Sequence, residues 1–113
     1  MLSLITLYEN GKHEECLYPP NTDIISCCHD ILDDTTAFIH LSEMLPGYIM
    51  IVKDDMYGFN CNHVASILAG RIVNGKAVIA RRNTSSFGLD GSEVDFLSGP
   101  EVLHINHLLD QLK

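Results

Sequence analysis

Cysteine and histidine are the residues of this sequence whose types could bind a metal ion. Six His and four Cys are present; Cys27, Cys28 and His29 are consecutive, and Cys61 and His63 lie two positions apart. Zinc sites usually combine ligand pairs at C-x-x-C or H-x-x-x-H spacing, and neither spacing occurs in this sequence. Cys28 falls on the apolar side of a predicted helix, where a free thiol packs as a small hydrophobic group. We therefore predict neither a metal site nor a cofactor.

Nucleophilic catalysis requires a cysteine or serine beside a histidine base, and a third group that orients this base. Cys61, Asn62 and His63 offer suitable residue types, but neighbours in sequence rarely form a catalytic unit. The G-x-S-x-G nucleophile motif is absent. His104 and His107 lie on the last predicted helix, where we expect both to be solvated. We predict no catalytic residues and favour a non-enzymatic protein.

An anion site is the third kind of chemistry that the sequence offers. Four of the seven Lys and Arg residues fall between positions 71 and 82. One arginine of this segment, together with a helix that starts near position 62, could hold a phosphate or a carboxylate. The alternative, which we favour, is that these arginines offset nearby acids such as Asp54 and Asp55. The candidate ligand-binding residues are Asn60, Asn62, His63, Arg81 and Arg82.

The charge of the chain restricts its partners. Its formal net charge is -8, from 15 acidic and 7 basic residues. Nucleic-acid binding through phosphates requires a basic surface, so we expect no direct binding to nucleic acid. The acids are scattered along the sequence, which disfavours mimicry of DNA. Solubility is the simplest role for this charge, and a small anionic ligand or a partner protein stays open.

Length and composition predict a single globular domain over residues 1–113. A chain of 113 residues with 46% hydrophobic residues can bury one core without disulfides. The four cysteines include an adjacent pair and no framework spacing, so we expect free thiols and a cytoplasmic location. The first eleven residues lack the basic region of a signal peptide, and no apolar run is long enough to span a membrane.

The first third of the chain predicts a hairpin followed by a helix. Strands from Leu2 to Tyr8 and from His13 to Tyr18 flank Asn10-Gly11, a residue pair that favours a two-residue type I′ turn. A helix over about residues 22–33 follows, because its apolar residues recur at helical spacing. Asn21 or Thr22 is the expected N-cap of this helix.

The remainder predicts a sheet and a terminal helix. The apolar run from Tyr48 to Val52 indicates a central strand that is covered on both faces, or a face shared with a partner chain. Asn74-Gly75 predicts a hairpin over 71–82. Ser98 and Glu101 match a capping box for a helix over about 99–112. The fold class is α+β: a mainly antiparallel sheet of about five strands (the N-terminal hairpin, 47–53 and the 71–82 hairpin), with two helices on one face. A short helix over 62–69 and a strand over 35–41 are open alternatives.

Residues 45–82 resemble a family of small proteins from tailed phages and mobile elements of bacteria, which is known only as a domain of unknown function. The resemblance rests on three motifs, Gly47-Tyr48-Ile49, Asn62-His63-Val64-Ala65 and Gly75-Lys76-Ala77-Val78-Ile79. It implies a phage-like setting. In that setting, small acidic proteins often bind host proteins or sequester signalling nucleotides.

Two functions follow as expectations. The first is a small acidic, non-enzymatic accessory protein of phage or mobile-element type that forms homo-oligomers and binds a host protein or sequesters a small ligand; action against host defence is one form of this expectation. The second is an enzyme or sensor for a small anionic ligand such as a nucleotide.

Overall fold

One antiparallel sheet organises the protein. The structure, a computed structural model, describes residues 2–32, 36–41, 45–53, 58–82 and 94–112. The elements in these residues are β1 (Leu2–Leu7), β2 (His13–Tyr18), α1 (Ile24–Leu32), β3 (Thr36–Leu41), β4 (Tyr48–Lys53), α2 (His63–Ala69), β5 (Ala77–Arg82), β6 (Val94–Asp95) and α3 (Gly99–Leu112). The predicted α+β class is confirmed.

The strand order places β5 near the middle of the sheet. The order is β2-β1-β5-β4-β3, and neighbouring strands among the described residues pair in antiparallel fashion. The short strand β6 pairs with the end of β5, so Arg81 lies opposite Tyr48 on one side and Asp95 on the other. The sheet therefore joins segments that are far apart in the sequence, such as β1 and β5.

Both faces of the sheet are covered, which confirms the first interpretation of the run from Tyr48 to Val52. In β4, the four residues from Ile49 to Val52 are fully buried. Met50 and Ile79 belong to a core cluster with residues of α2 and α3, whereas Ile51 and Val78 belong to a second cluster with residues of α1. Alternate side chains enter different cores, and a strand with this placement has no polar side.

The prediction of two helices on one face is wrong in its arrangement. The described residues form three helices; α1 packs on one face of the sheet, while α2 and α3 pack on the other. Continuous apolar runs in β4 and β5 leave two apolar faces to be covered, so helices on a single face would have left one of them in water.

The predicted hairpin over 71–82 is also wrong. Strand structure begins at Ala77, and β5 pairs with β1 and β4. Asn74 forms an isolated bridge with Cys61 instead. The backbone of Val73 is held by α2, because its carbonyl accepts from the Asn62 N–H (2.8 Å) and its N–H donates to Ser66 Oγ (2.9 Å). These longer-range bonds override the local preference of Asn-Gly for a hairpin.

The N-terminal hairpin is confirmed, with a different loop. Leu7 pairs with His13, and Gly11 has φ +84° while Asn10 does not have a positive φ. The Gly11 N–H donates to the Tyr8 carbonyl at 3.1 Å. This arrangement is a turn followed by a left-handed glycine rather than a type I′ turn, which needs two positive φ angles.

Local capping signals decide where the helices begin. In α1 the cap is Asp23 rather than Asn21 or Thr22, because Asp23 Oδ2 accepts from the N–H (3.4 Å) and the hydroxyl (2.9 Å) of Ser26. The predicted end of this helix at position 33 lies outside the described residues. The range of α3 agrees with its prediction. None of the helices in the described residues is long and apolar enough to cross a membrane.

Candidate functional site

Asn62 has a structural role in this fold. Its side chain is fully buried, and its Oδ1 accepts from the Ala65 N–H at 3.1 Å, which caps α2. Its Nδ2 donates to the carbonyls of Leu7 (3.1 Å) and Gly75 (2.9 Å). The amide therefore joins β1, the segment before β5 and α2. With its oxygen and both of its N–H groups engaged, this side chain is not available to a ligand.

Asn60 and His63 flank this buried amide and are exposed. The Asn60 N–H donates to Glu9 Oε2 at 3.0 Å, and the Asn60 carbonyl accepts from the Gly75 N–H at 2.9 Å. His63 is the first residue of α2. These two residues lie at the end of the sheet where β1 leads into its hairpin loop.

Arg81 and Arg82 lie at the opposite end of β5. The Arg81 Nη2 atom contacts Asp95 Oδ2 at 2.7 Å, and the Arg82 N–H donates to the Gly47 carbonyl at 2.9 Å. Ala77 pairs with Leu7, whose carbonyl binds Asn62, and Arg81 lies four positions further along the strand than Ala77. At a rise of about 3.3 Å per residue this separation is about 13 Å. The five residues predicted to bind a ligand are therefore divided between two regions.

The positive charge of the Arg81 guanidinium is balanced by the Asp95 carboxylate. Its hydrogen bond to Asp95 raises the pKa of Arg81, and Glu101 and Tyr48 add to the effect. The Arg81 and Asp95 side chains are 45% and 41% exposed, so the pair contributes less than about 1 kcal/mol to stability. The Arg81–Asp95 pair joins β5 to β6, so the Arg81 guanidinium is already engaged by a carboxylate of the protein.

Glu101 completes the capping box of α3 and carries a perturbed pKa. Partial burial favours the neutral carboxyl, but hydrogen bonds from Ser98, the charge of Arg81 and the Tyr48 hydroxyl outweigh it and lower the pKa of Glu101. The Ser98 N–H donates to Glu101 Oε1 at 2.9 Å, and the Glu101 N–H donates to Ser98 Oγ at 3.4 Å. The ionised carboxylate thus stabilises the folded state.

We expect Glu101→Gln to reduce stability at neutral pH by about 0.5 kcal/mol, because glutamine keeps the capping acceptor but loses the charge at the helix N-terminus. The folded-state pKa is lowered, so the contribution is present above the unfolded pKa of about 4.3 and is lost as pH falls through the folded value. Urea denaturation from pH 7 to pH 3 measures this effect. Asp110→Asn, at the other end of α3, should change stability in the opposite direction; a difference for Glu101→Gln that does not vary with pH would contradict the assignment.

The thiols fall into two environments. Burial raises the pKa of Cys28 to about 12, and the pKa of Cys27 is also raised, by burial and then by Asp30 and Asp23. Both thiols therefore stay protonated, and neither is a competent nucleophile. Cys61 is exposed, with its Sγ 3.8 Å from Ser66 Oγ. Within the ranges that the structure describes, no three His, Cys, Asp or Glu side chains are grouped to hold a metal ion.

The two histidines of α3 are exposed, as the sequence predicts. The His107 Nε2 atom lies 3.2 Å from the Gln111 Nε2 atom on the next turn of the helix.

A cleft that the sequence prediction did not include lies between the end of α1 and the segments next to β4 and β5. It has a volume of about 290 Å³ and is open to solvent. We call it the Lys53–Lys76 cleft. Its lining residues are Ile31, Leu32, Lys53, Phe59, Asn74, Gly75 and Lys76.

Two lysines line this cleft where the pairing of β4 with β5 ends. The last pair is Val52 with Ala77, and Lys53 and Lys76 are the residues that continue each segment beyond this pair. Paired residues of adjacent strands have Cβ atoms about 4.5–5.5 Å apart, so long side chains next to such a pair are close enough to interact. Among the described residues, neither ammonium group forms an ion pair. The described lining of the cleft thus carries two positive charges and no acidic side chain, on a protein whose net charge is -8.

Phe59 forms one wall of the cleft and is held in place by two contacts. Its ring centroid lies 5.1 Å from Lys53 Nζ. A Cβ placed on Gly75 would lie 3.3 Å from Phe59 Cγ, so the ring packs directly on the glycine backbone. Even so, Phe59 is 43% exposed. A lysine at the end of one strand and another just before a second strand are the sequence features that could have indicated this site. Whether the two lysines lie close together depends on the register of the strands, which the sequence does not show.

No protein-family model, curated protein or solved structure matches this chain. The resemblance of residues 45–82 to the phage-associated family therefore stays a prediction from the sequence.

Proposed function

We propose that this protein is a non-enzymatic binding protein that takes up a small anionic ligand in the Lys53–Lys76 cleft. The observation that carries the proposal is that Lys53, the last residue of β4, and Lys76, the residue before β5, both line this cleft next to the paired residues Val52 and Ala77. Like charges close together on neighbouring strands are destabilising. An anion bound between the two ammonium groups would remove this repulsion and add two charge-assisted contacts.

The surroundings of the lysines strengthen such contacts. Ile31 and Leu32 of α1 and the ring of Phe59 border the cleft. Apolar walls lower the local dielectric, and the attraction between an ammonium group and an anion grows as the dielectric falls. The described lining offers two lysine ammonium groups and the Asn74 amide, which can donate hydrogen bonds to an anion.

The acidic remainder of the molecule selects for small ligands. A net charge of -8 repels a polyanion at long range, whereas a compact anion can approach the two lysines within a Debye length. This balance supports uptake of a phosphate-containing or carboxylate-containing small molecule. Sequestration of such a ligand agrees with the phage-type accessory role that the resemblance implies. That role, a cytoplasmic location, a host-protein partner and homo-oligomer formation stay parts of the proposal.

The experiment compares two variants with the same change in net charge. Lys53→Gln with Lys76→Gln removes both cations of the cleft, and Lys12→Gln with Arg82→Gln removes two exposed cations that do not line it. Thermal unfolding is measured at low ionic strength with inorganic phosphate, pyrophosphate, phenyl phosphate and nucleoside monophosphates.

We expect at least one anion to stabilise the wild type and the control variant, by about 2.7 kcal/mol when its concentration is 100 times its Kd. The cleft variant should show no stabilisation by the same anion, and without ligand it should be at least as stable as the wild type because the repulsion is gone. The absence of any shift in the wild type, or a shift that the cleft variant retains, would refute the proposal. A cleft variant that is less stable than the wild type without ligand would show that carboxylates of the protein itself neutralise the lysines.

A further inference from the structure

We infer that the ligand of the Lys53–Lys76 cleft is a compact amphipathic anion, namely one phosphate or carboxylate group attached to a single ring or a short apolar chain. This inference rests on the proposed function and specifies the chemistry of its ligand. It follows from the division of the cleft into a cationic side and an apolar side that adjoin each other.

The apolar side consists of α1 and Phe59. Ile31 and Leu32 belong to the last turn of α1, and Leu32 also belongs to the core beneath the helix. Phe59 is one of the few large apolar side chains in the described residues that are more than one-third exposed. Its ring is fixed against Gly75 on the protein side, so the exposed part can receive a ligand without first having to be ordered.

The cationic side begins within contact distance of the apolar side. Lys53 Nζ lies 5.1 Å from the centre of the Phe59 ring, and Lys76 lines the same cleft. An anionic group held between the two ammonium groups is therefore only one ring width from the aromatic wall. A ligand that has only the anionic group would leave the Phe59 ring in water, and one that has only the ring would leave the lysine repulsion in place.

The volume of the cleft limits the size of the ligand. The space of about 290 Å³ between its walls includes open solvent, and only seven of the described residues line it, so the cleft can enclose no more than a small part of a ligand. A single ring or a short chain with one anionic group fits such a space. Dinucleotides and other extended ligands would project into solvent and gain little from the walls.

The test compares phenyl phosphate with inorganic phosphate and phenol by isothermal titration calorimetry on the full chain. Burial of part of a phenyl ring against Phe59, about 50–60 Å² of apolar surface, corresponds to about tenfold tighter binding. We expect phenyl phosphate to bind about tenfold more tightly than inorganic phosphate, and phenol to bind more weakly than phenyl phosphate.

Phe59→Ala should reduce the ratio of the two affinities from about tenfold to about one, while inorganic phosphate still binds. Phe59→Leu should keep part of the preference. Ile72→Ala is the matched control, because Ile72 is 75% exposed and does not line the cleft, and it should change neither affinity. Circular dichroism and the melting temperature verify that each variant is folded.

The outcomes separate this inference from the proposed function. Equal affinities for phenyl phosphate and inorganic phosphate, or a preference that survives Phe59→Ala, would overturn the amphipathic ligand and leave anion binding intact. If neither phosphate compound binds to the wild type, the proposed function itself fails. A preference that is lost in Phe59→Ala, with phosphate binding retained, supports both.

Discussion

Replacing Asn62 by alanine is expected to lower the free energy of unfolding by about 3 kcal/mol, through the loss of a helix cap and of the donors to two buried carbonyls. The Asn62 side chain is fully buried and bonds to the Ala65 N–H and to the carbonyls of Leu7 and Gly75. Alanine restores none of these bonds, and water has no access to the groups left behind. Urea denaturation with an unchanged m value measures the effect.

Two further variants define what Asn62 does. Asn62→Asp keeps the oxygen that caps α2 but places a second oxygen against the carbonyls of Leu7 and Gly75, so we expect it to be at least as destabilising as alanine at neutral pH. Asn60→Ala removes an exposed amide two positions away and should change stability by less than about 0.5 kcal/mol. If Asn62→Ala were as mild as Asn60→Ala, Asn62 could not be the structural junction of β1, α2 and the segment before β5.

The second large effect is expected at the middle of the sheet. Ile79→Ala should destabilise the protein by about 3–4 kcal/mol, because it removes a branched side chain from a core that cannot fully collapse around the cavity. Ile79 is fully buried in β5, and it lies opposite Ile5 of β1 on one side and Met50 of β4 on the other. Chemical denaturation with a linear extrapolation to water measures the loss.

Ile72→Ala is the matched control for this substitution, since the same atoms are removed from a side chain that is 75% exposed. It should change the free energy of unfolding by less than about 0.5 kcal/mol. Similar losses at positions 72 and 79 would contradict the central position of β5, and would favour the hairpin over 71–82 that the sequence predicts.

These two isoleucines show where prediction from sequence succeeds and where it fails. They lie in the one segment, 71–82, that the sequence predicts as a single hairpin around Asn74-Gly75. Asn74-Gly75 has the right residue types for a two-residue turn, yet Val73 bonds to α2 and β5 pairs with β1. A turn preference is worth little once distant backbone groups can satisfy the same donors and acceptors, so the local signal was overridden.

The ligand site that the sequence predicts does not come together in the structure, for a related reason. Asn62 and Arg81 each have a side chain suited to an anion, but the fold buries the first and pairs the second with Asp95. Suitability of residue type says nothing about which partners the rest of the chain supplies. Lys53 and Phe59, which the sequence prediction did not include, line the cleft on which the proposed function rests.

Features whose signals lie within a few residues of each other were determined by the sequence alone. The capping box of Ser98 and Glu101 and the buried run of β4 were both predicted, whereas the helix over 62–69 was one of two open alternatives. Each of these features depends on residues that lie within one element. The sequence of that element therefore contains the signal, and contacts with distant elements are not needed to recognise it.

The tertiary structure alone decided which distant elements meet. The strand order β2-β1-β5-β4-β3 and the placement of α1 opposite α2 and α3 depend on packing between apolar faces, for which several arrangements bury the same residues. The placement of Lys53 and Lys76 at one cleft depends on the register between β4 and β5, because a shift of one residue would send one side chain to the other face. The cleft exists because this register places both lysines beside Phe59 and the end of α1.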